Sequence, residues 1–266
     1  MALGLMDKAI RVDGNWWKDL FDDLYLRTDA RSVCDHDLTC REVTFLEKAL
    51  RIHESSSILD MCGGQGRHSI ELARRGYYDI TVLDYSSYLI DLGIKEARKE
   101  NVSVSFIQGD ARNTGLSEKR FHYIFILASS FGYFPDEGEN RKILHEAFRL
   151  LKLGGTLLLD LPDRNYVLKN FKAHSSHQID KELTVNRIRS LGEDIIVSRE
   201  TVHSATQGCI RDKSYCVRLY SPEKITGFLQ AAGFSSVFID KDFMCRENQG
   251  DYGCMTNRMI IIAEKK

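Results

Sequence analysis

The chain has 266 residues, 43% of them hydrophobic, and 37 basic residues set against 38 acidic ones give a formal net charge of −1. That is enough apolar material for a full core in one domain, or one domain with a large insertion, and it excludes a disordered chain. A charge so balanced, with no long run of either sign, disfavours a nucleic-acid backbone as partner and leaves a small ligand as the expectation. The seven cysteines (Cys34, Cys40, Cys62, Cys209, Cys216, Cys245 and Cys254) are scattered and form neither a CxxC pair nor a zinc-finger spacing. They read as free thiols, and no metal is expected. The start, MALGLMDKAIRVDG, lacks the long apolar region of a signal peptide, and no stretch approaches the ~20 apolar residues of a membrane span. A soluble, cytoplasmic protein with no membrane partner is expected, as monomer or homodimer.

In chain order, residues 1–55 carry the aromatic segment NWWKDLFDDLYL and the helix-like CREVTFLEKAL. Trp16, Trp17, Phe21 and Tyr25 recur near helical spacing, which suits plain packing or a lid over a ligand. This segment is expected to pack on or cap a core domain spanning 56–266. From Ser56 to Pro162, β-rich runs (SSILDMC, DITVLDY, VSVSFIQGD, FHYIFILAS, TLLLDLP) alternate with amphipathic stretches, which predicts a parallel sheet covered by helices. Ile70, Leu72 and Ala73, then Leu89, Leu92 and Ala97, fall at spacings that build an apolar helix face, and Gly76 and Gly154 stand where helices usually stop. From 163 to 220 the pattern turns to polar–apolar alternation in KELTVNRIRS, DIIVSRETVHS and KSYCVRLYS, with turn signals between, which predicts an antiparallel insertion after the fifth strand. A proline-started helix, SPEKITGFLQAAGF, and strands at SVFIDKDF and RMIIIAEKK then rejoin the core.

The stretch DMCGGQGRHS, residues 60–69, occupies the first strand-to-helix turn, where glycine permits close backbone approach and the helix offers unpaired N–H groups. A dinucleotide pyrophosphate fits such a turn, but Asp60 would set a negative charge beside it; a ligand with an ammonium group is favoured instead. Asp84 closes the next strand, as an acid that binds a ribose diol does, and Asp110 closes the third, placed to accept from an exocyclic adenine amine. Ammonium, ribose and adenine together describe S-adenosylmethionine.

With these residues the chain resembles the class I S-adenosylmethionine-dependent methyltransferases of the small-molecule type. The family's acid followed by G-x-G-x-G is matched by Asp60, Cys62, Gly64 and Gly66, with cysteine in place of the first glycine and an extra glycine at 63. The resemblance implies a Rossmann-like, mostly parallel seven-stranded α/β sheet with helices on both faces, and S-adenosyl-L-methionine as cofactor. It implies cofactor-binding roles for Asp60, Cys62, Gly63, Gly64, Gly66, Asp84, Tyr85, Asp110 and Ala111. SFGYF at 130–134, LLKLGGTLLLD at 150–160 and RLYSPEKITGFLQAAGF at 218–234 are similar to later landmarks of the family. The expected reaction moves a methyl group to an O or N atom of a small molecule. Because ligands bind at the carboxyl edge of such sheets, the acceptor-facing residues are expected to be Ser130, Phe131, Tyr133, Asp163, Arg218 and Tyr220, with Arg211 and Tyr215 nearby in the insertion. Asp163, Tyr133 and Tyr220 are the candidates for a proton acceptor, since the already activated cofactor makes a base optional. His68, His122 and His145 read as structural rather than catalytic.

Three rival readings stay open. A non-enzymatic S-adenosylmethionine-binding module needs the same residues. An NAD-type oxidoreductase is disfavoured by Asp60. A nucleic-acid methyltransferase acting on base amines would carry a [DNS]-P-P-[YFW] element, where this chain has SSFGYF.

Overall fold

The computed structural model describes residues 10–29, 33–243 and 257–266. Cys245, Cys254 and the first nine residues lie outside the described residues.

Among the described residues, a 3-10 turn at Trp16–Lys18 and the helices α1 (Asp23–Thr28) and α2 (His36–Leu50) precede the sheet. The core then alternates: β1 (Ile58–Met61), α3 (Arg67–Arg74), β2 (Ile80–Asp84), α4 (Ser87–Lys99), β3 (Ser105–Gln108), β4 (Phe121–Ile126), α5 (Glu137–Leu150) and β5 (Leu151–Pro162). The insertion follows with a short helix α6 (Arg164–Lys169) and strands β6 (His174–Gln178), β7 (Leu183–Leu191), β8 (Ile195–Ser204) and β9 (Gly208–Arg218). Finally come α7 (Pro222–Ala232), β10 (Ser236–Phe243) and β11 (Arg258–Glu264). The order in the main sheet is β10-β11-β5-β4-β1-β2-β3. Its five central and right-hand strands pair in parallel, and β11 runs antiparallel between β5 and β10. This is the seven-stranded, Rossmann-like sheet that the resemblance implies.

Period-two alternation sends successive side chains to opposite faces, so both faces need a cover. Leu59, Met61, Ile126, Leu159 and Ile261 bury against Ile143, Leu144 and Ala147 of α5 and Ile225 and Leu229 of α7. Ile58, Ile80, Phe125, Leu158 and Ile260 bury against Val43 and Leu46 of α2 and Leu72 of α3. Helices begin where short polar side chains accept the first free amides: Asp35 from Leu38, Ser86 from Leu89, Asp136 from Gly138 and Ser221 from Lys224.

Three details depart from the sequence reading. The helix before β5 ends at Leu150, and Gly154 (φ +74°) makes a turn inside the irregular start of β5 instead of stopping a helix. The insertion has four strands, since β6, HSSHQ, pairs with β7 although it carries no apolar alternation to announce it. It also has a helix, α6, started by Asp163. The insertion sheet is joined to the N-terminal segment by ion pairs: Arg27–Asp180 at 3.1 Å, Asp29–Arg187 at 2.9 Å, Asp19–Lys213 at 2.5 Å, and Asp22–Arg211.

Candidate active site

β1 has β2 on one side and β4 on the other, the switch point of the sheet, and ligands of open α/β sheets bind outside the strand ends there. A cavity opens at this place. Its floor is Asp60, Cys62, Gly63 and Gly64 from the first turn, Asp84 and Tyr85 from the end of β2, and Gly109, Asp110 and Ala111 from the end of β3. Leu127, Ala128, Ser130 and Tyr133 after β4 form one wall, Arg67 and His68 of α3 another, and Trp17, Phe21 and Tyr25 close over it.

The first turn is built from alternating left-handed residues: Cys62 at φ +62°, Gly64 at +57° and Gly66 at +69°. These are the three positions of the G-x-G-x-G pattern, so the cysteine adopts the backbone that glycine favours and stores about 1 kcal/mol or more of strain there. Gly63 is needed for another reason: a Cβ on it would lie 2.5 Å from Cγ of Asp60. Gly66 does not line the cavity. It starts α3, and a Cβ there would meet Phe106 at 2.8 Å and Val82 at 3.0 Å, so it lets the helix pack on the sheet.

Asp60 is 1% exposed, accepts a hydrogen bond from Ser69 Oγ at 2.9 Å, and has no salt bridge among the described residues. Burial pushes its carboxyl up to about 7, against the pull of Ser69 and Arg67. Asp84 is fixed by two amides, Gly64 N–H to Oδ2 and Ser86 N–H to Oδ1, each at 2.8 Å. Burial raises its carboxyl too, and those amides oppose the shift. Each oxygen of Asp84 keeps lone-pair capacity for a diol. Both acids are therefore buried anions in want of a donor or cation, the demand that an ammonium and a ribose diol meet. The residues fit S-adenosylmethionine.

Asp110 differs, because Arg112 grips it through Nε at 3.0 Å and Nη2 at 2.6 Å. Burial penalises its charge, but Arg112 wins and holds the carboxyl below its usual range. The same guanidinium stacks over Trp17 (5.0 Å) and Phe134 (4.5 Å), so this acid anchors the aromatic cover. Around it, Phe21 stacks on Tyr133 at 5.7 Å and meets Tyr25 edge-on at 5.0 Å. Burial raises both tyrosine hydroxyls, which keeps them protonated.

Beneath the wall lies a buried charge network. Glu42 of α2 receives Arg67 at 2.6 Å, His68 at 2.9 Å and Arg258 of β11 at 2.5 Å. Burial opposes its charge, yet Arg67, His68 and Arg258 hold it well below the usual carboxylate range. Burial, with Arg67, drives His68 down to about 4, so near neutrality its ring is uncharged and donates Nε2–H to Glu42. Arg258 also forks onto Asp160 of β5 through Nε at 2.6 Å and through Nη2. Asp160 in turn accepts the amide of Ala128 at 2.9 Å on its side chain and that of Ser129 at 3.2 Å on its carbonyl. Ala128 and Ser129 stand at φ +54° and +59°, consecutive left-handed residues without a glycine, so this network holds a strained cavity wall in place.

Of the residues the sequence nominates, Asp60, Cys62, Gly63, Gly64, Asp84, Tyr85, Asp110, Ala111, Ser130 and Tyr133 meet at this cavity. The other acceptor candidates do not line it. Phe131 and Tyr220 are each 1% exposed in the core, their rings 5.4 Å apart. Asp163 caps α6 by accepting the amide of Tyr166. Arg218 donates to the carbonyl of Pro135 and pairs with Glu137. Strand β9 ends at Arg218, and Cys216 Sγ reaches the carbonyl of Tyr133. Arg211 turns to Asp22 and Tyr215 packs on Trp16 at 5.7 Å.

A family model described as a methyltransferase domain matches residues 58–155, the segment that contributes the strand ends above. Over residues 58–155 the chain is thus similar to a methyltransferase domain. The chain is 31% identical over 134 residues to a glycine/sarcosine N-methyltransferase of Aphanothece halophytica, covering 50% of this chain and 49% of that one. The chain thus spans about half the length of the glycine/sarcosine N-methyltransferases it matches. In fold it is similar to the CcbJ methyltransferase of Streptomyces caelestis, with a TM-score of 0.75 at 17% identity over 95% of this chain and 99% of the other. It is also similar to a sugar N-methyltransferase of Streptoalloteichus sp ATCC 53650, with a TM-score of 0.65 at 18% identity, covering 100% and 99%. Among the described residues no helix is long and apolar enough to cross a membrane.

Proposed function

We propose that the chain transfers a methyl group from S-adenosylmethionine to an amine nitrogen of a small polar molecule. The observation that carries the reading is the charge balance of the cavity. The cavity cation Arg67 is neutralised by Glu42, the cofactor takes up Asp60 and Asp84, and the lining left to the acceptor includes the rings of Trp17, Phe21, Tyr25, Tyr133 and Phe134. Such a lining attracts amines through the faces of the rings. The printed functions of the glycine/sarcosine and sugar N-methyltransferases it resembles support the same class of acceptor.

In this reading Asp60 takes the cofactor's ammonium, Asp84 its ribose, and the Asp110–Ala111 turn the adenine side. The bound cofactor supplies an activated methyl group, so what the protein adds is positioning and exclusion of water. Trp17, Phe21 and Tyr25 cover the opening, and the insertion clamps them there through the ion pairs with residues 19–29, which makes 163–220 and the N-terminal segment a joint lid. Tyr25 and Tyr133, held protonated, hydrogen-bond the acceptor and orient a nitrogen lone pair; an amine bound as free base needs no further proton acceptor. The test is incubation of the full chain with methyl-labelled S-adenosylmethionine and matched sets of amines (glycine, sarcosine, amino sugars) and alcohols. Label transfer to amines is expected; transfer to the alcohols alone, or to neither set, overturns the proposal.

A further inference from the structure

On the outer side of α2 and α3, away from the cavity, three ligand-bearing side chains converge. His36 and Cys40 lie four residues apart on one face of α2, and α3 packs against α2 and brings Glu71 to them. The imidazole nitrogen, thiol sulfur and carboxylate oxygen all lie within 4.8 Å of one another. We propose that His36, Cys40 and Glu71 form a binding site for a zinc-class divalent metal ion that staples α2 to α3.

The geometry is close to what such an ion needs. Metal–ligand bonds of about 2.0–2.3 Å at tetrahedral angles place donor atoms roughly 3.3–3.5 Å apart. His36 Nε2 and Cys40 Sγ are already 3.5 Å apart, and a side-chain adjustment of about 1 Å brings in the carboxylate. Binding replaces the Cys40 thiol proton and therefore weakens as the pH falls. Glu71 is oriented from behind by Arg75 Nε at 2.8 Å, in the manner of a ligand fixed by an outer partner. The nearby guanidinium opposes a dication, so affinity is lower than that of a closed four-ligand site. A nitrogen, sulfur and oxygen donor set selects zinc or cobalt over magnesium or calcium, and the partial exposure of His36 and Cys40 leaves the fourth position to water. The same helix pair carries Glu42, Arg67 and His68, so the ion would fix the α2–α3 contact behind the cavity wall without entering it.

Cobalt(II) reports thiolate ligation directly. Full-length protein, stripped by chelator, is titrated with cobalt(II) and followed by its sulfur-to-cobalt charge-transfer absorption. A 1:1 end point, displaced by zinc(II) and not by magnesium(II), is expected. C40S should abolish the band, and H36Q and E71Q should each weaken binding at least tenfold. Zinc should raise the unfolding midpoint of the natural protein and leave that of C40S unchanged. Absence of the band, its persistence in C40S, or unaltered affinity in H36Q would overturn the assignment; the metal-free midpoints of the variants show that each is folded.

Discussion

Arg258 joins Asp160 to Glu42 at a place where all three side chains are at most 2% exposed, and removing its charge tests what that network does. Arg258→Met keeps much of the volume and leaves Asp160 with the Ala128 amide but no cation. Breaking a buried pair by removing one partner costs about 3–5 kcal/mol. Protonation of the stranded acid sets a ceiling: holding a carboxyl neutral at pH 7 costs about 1.36 kcal/mol for each unit above the ordinary value near 3.9, or about 4 kcal/mol. The sign follows from linkage, because an acid whose folded pKa is raised above its unfolded value destabilises as pH rises. Burial already raises Asp160 beside Arg258, so the deficit relative to the natural protein should be near zero below about pH 4, at most about 1.5 kcal/mol at pH 5, and at most about 4 at pH 7. For a chain of this size the pH 7 deficit lowers the melting midpoint by roughly 6–16 °C. A neutral Asp160 accepts the Ala128 amide less strongly, which loosens the strained wall, so acceptor turnover should fall more than cofactor affinity. Denaturant unfolding at pH 5 and pH 7, with calorimetric cofactor binding, reads all three effects. A pH 7 deficit under 1 kcal/mol, or one equal at both pH values, would refute the idea that Arg258 neutralises a buried Asp160.

Gly63→Ala drives a methyl against Asp60 and should weaken cofactor binding at least tenfold with little loss of stability, whereas Gly66→Ala, meeting Phe106 in a left-handed conformation, should cost mainly stability; equal effects of the two on binding would dissolve the distinction. Asp84→Ala removes the acceptor of the Gly64 and Ser86 amides together with the proposed diol contact, and a loss of about 1–3 kcal/mol in cofactor affinity is expected; calorimetry with an unchanged constant would take Asp84 out of the site. Asp60 is raised to about 7 in the free protein, and an ammonium partner favours its ionised form, so binding should release a proton below pH 7 and tighten as pH rises to about 7. Heats measured in buffers of different ionisation enthalpy check this, and proton uptake on binding would contradict it.

What could be read from the sequence divides along the same line as the cavity. The cofactor side follows from local rules: an acid that ends a strand, glycines where the chain turns left-handed, a helix starting just beyond. Asp60, Gly64 and Asp84 are placed by their own neighbours in the chain, so a one-dimensional pattern is enough to find them. Even the irregular Cys62 follows the rule, since the turn imposes φ +62° on whatever stands there. Asp160 ends an apolar run as Asp60 does, and the fragment LLLDL carries that signal. Its partner Arg258 lies 98 residues further along and Glu42 comes from a helix before the sheet, so no spacing could reveal the trio.

The acceptor side obeys no local rule, and the failures there share one cause. Arg218 and Tyr220 lie near the cavity in sequence logic, because the insertion must leave the core at its ligand edge. The chain returns to the core at that point, however, and the return uses them: the amide of Arg218 pairs with the carbonyl of Gly132, and the Tyr220 ring fills the core beside Phe131. Residues at the junction of an insertion are committed to closing it. The surface that faces the ligand comes instead from Phe21 and Tyr25 of the N-terminal segment, and their position depends on charges brought from the far strands of the insertion, Asp29 on Arg187 and Asp22 on Arg211. The insertion thus reaches the cavity at one remove, through the N-terminal segment that lines it, by charges paired between two parts of the chain more than 150 residues apart.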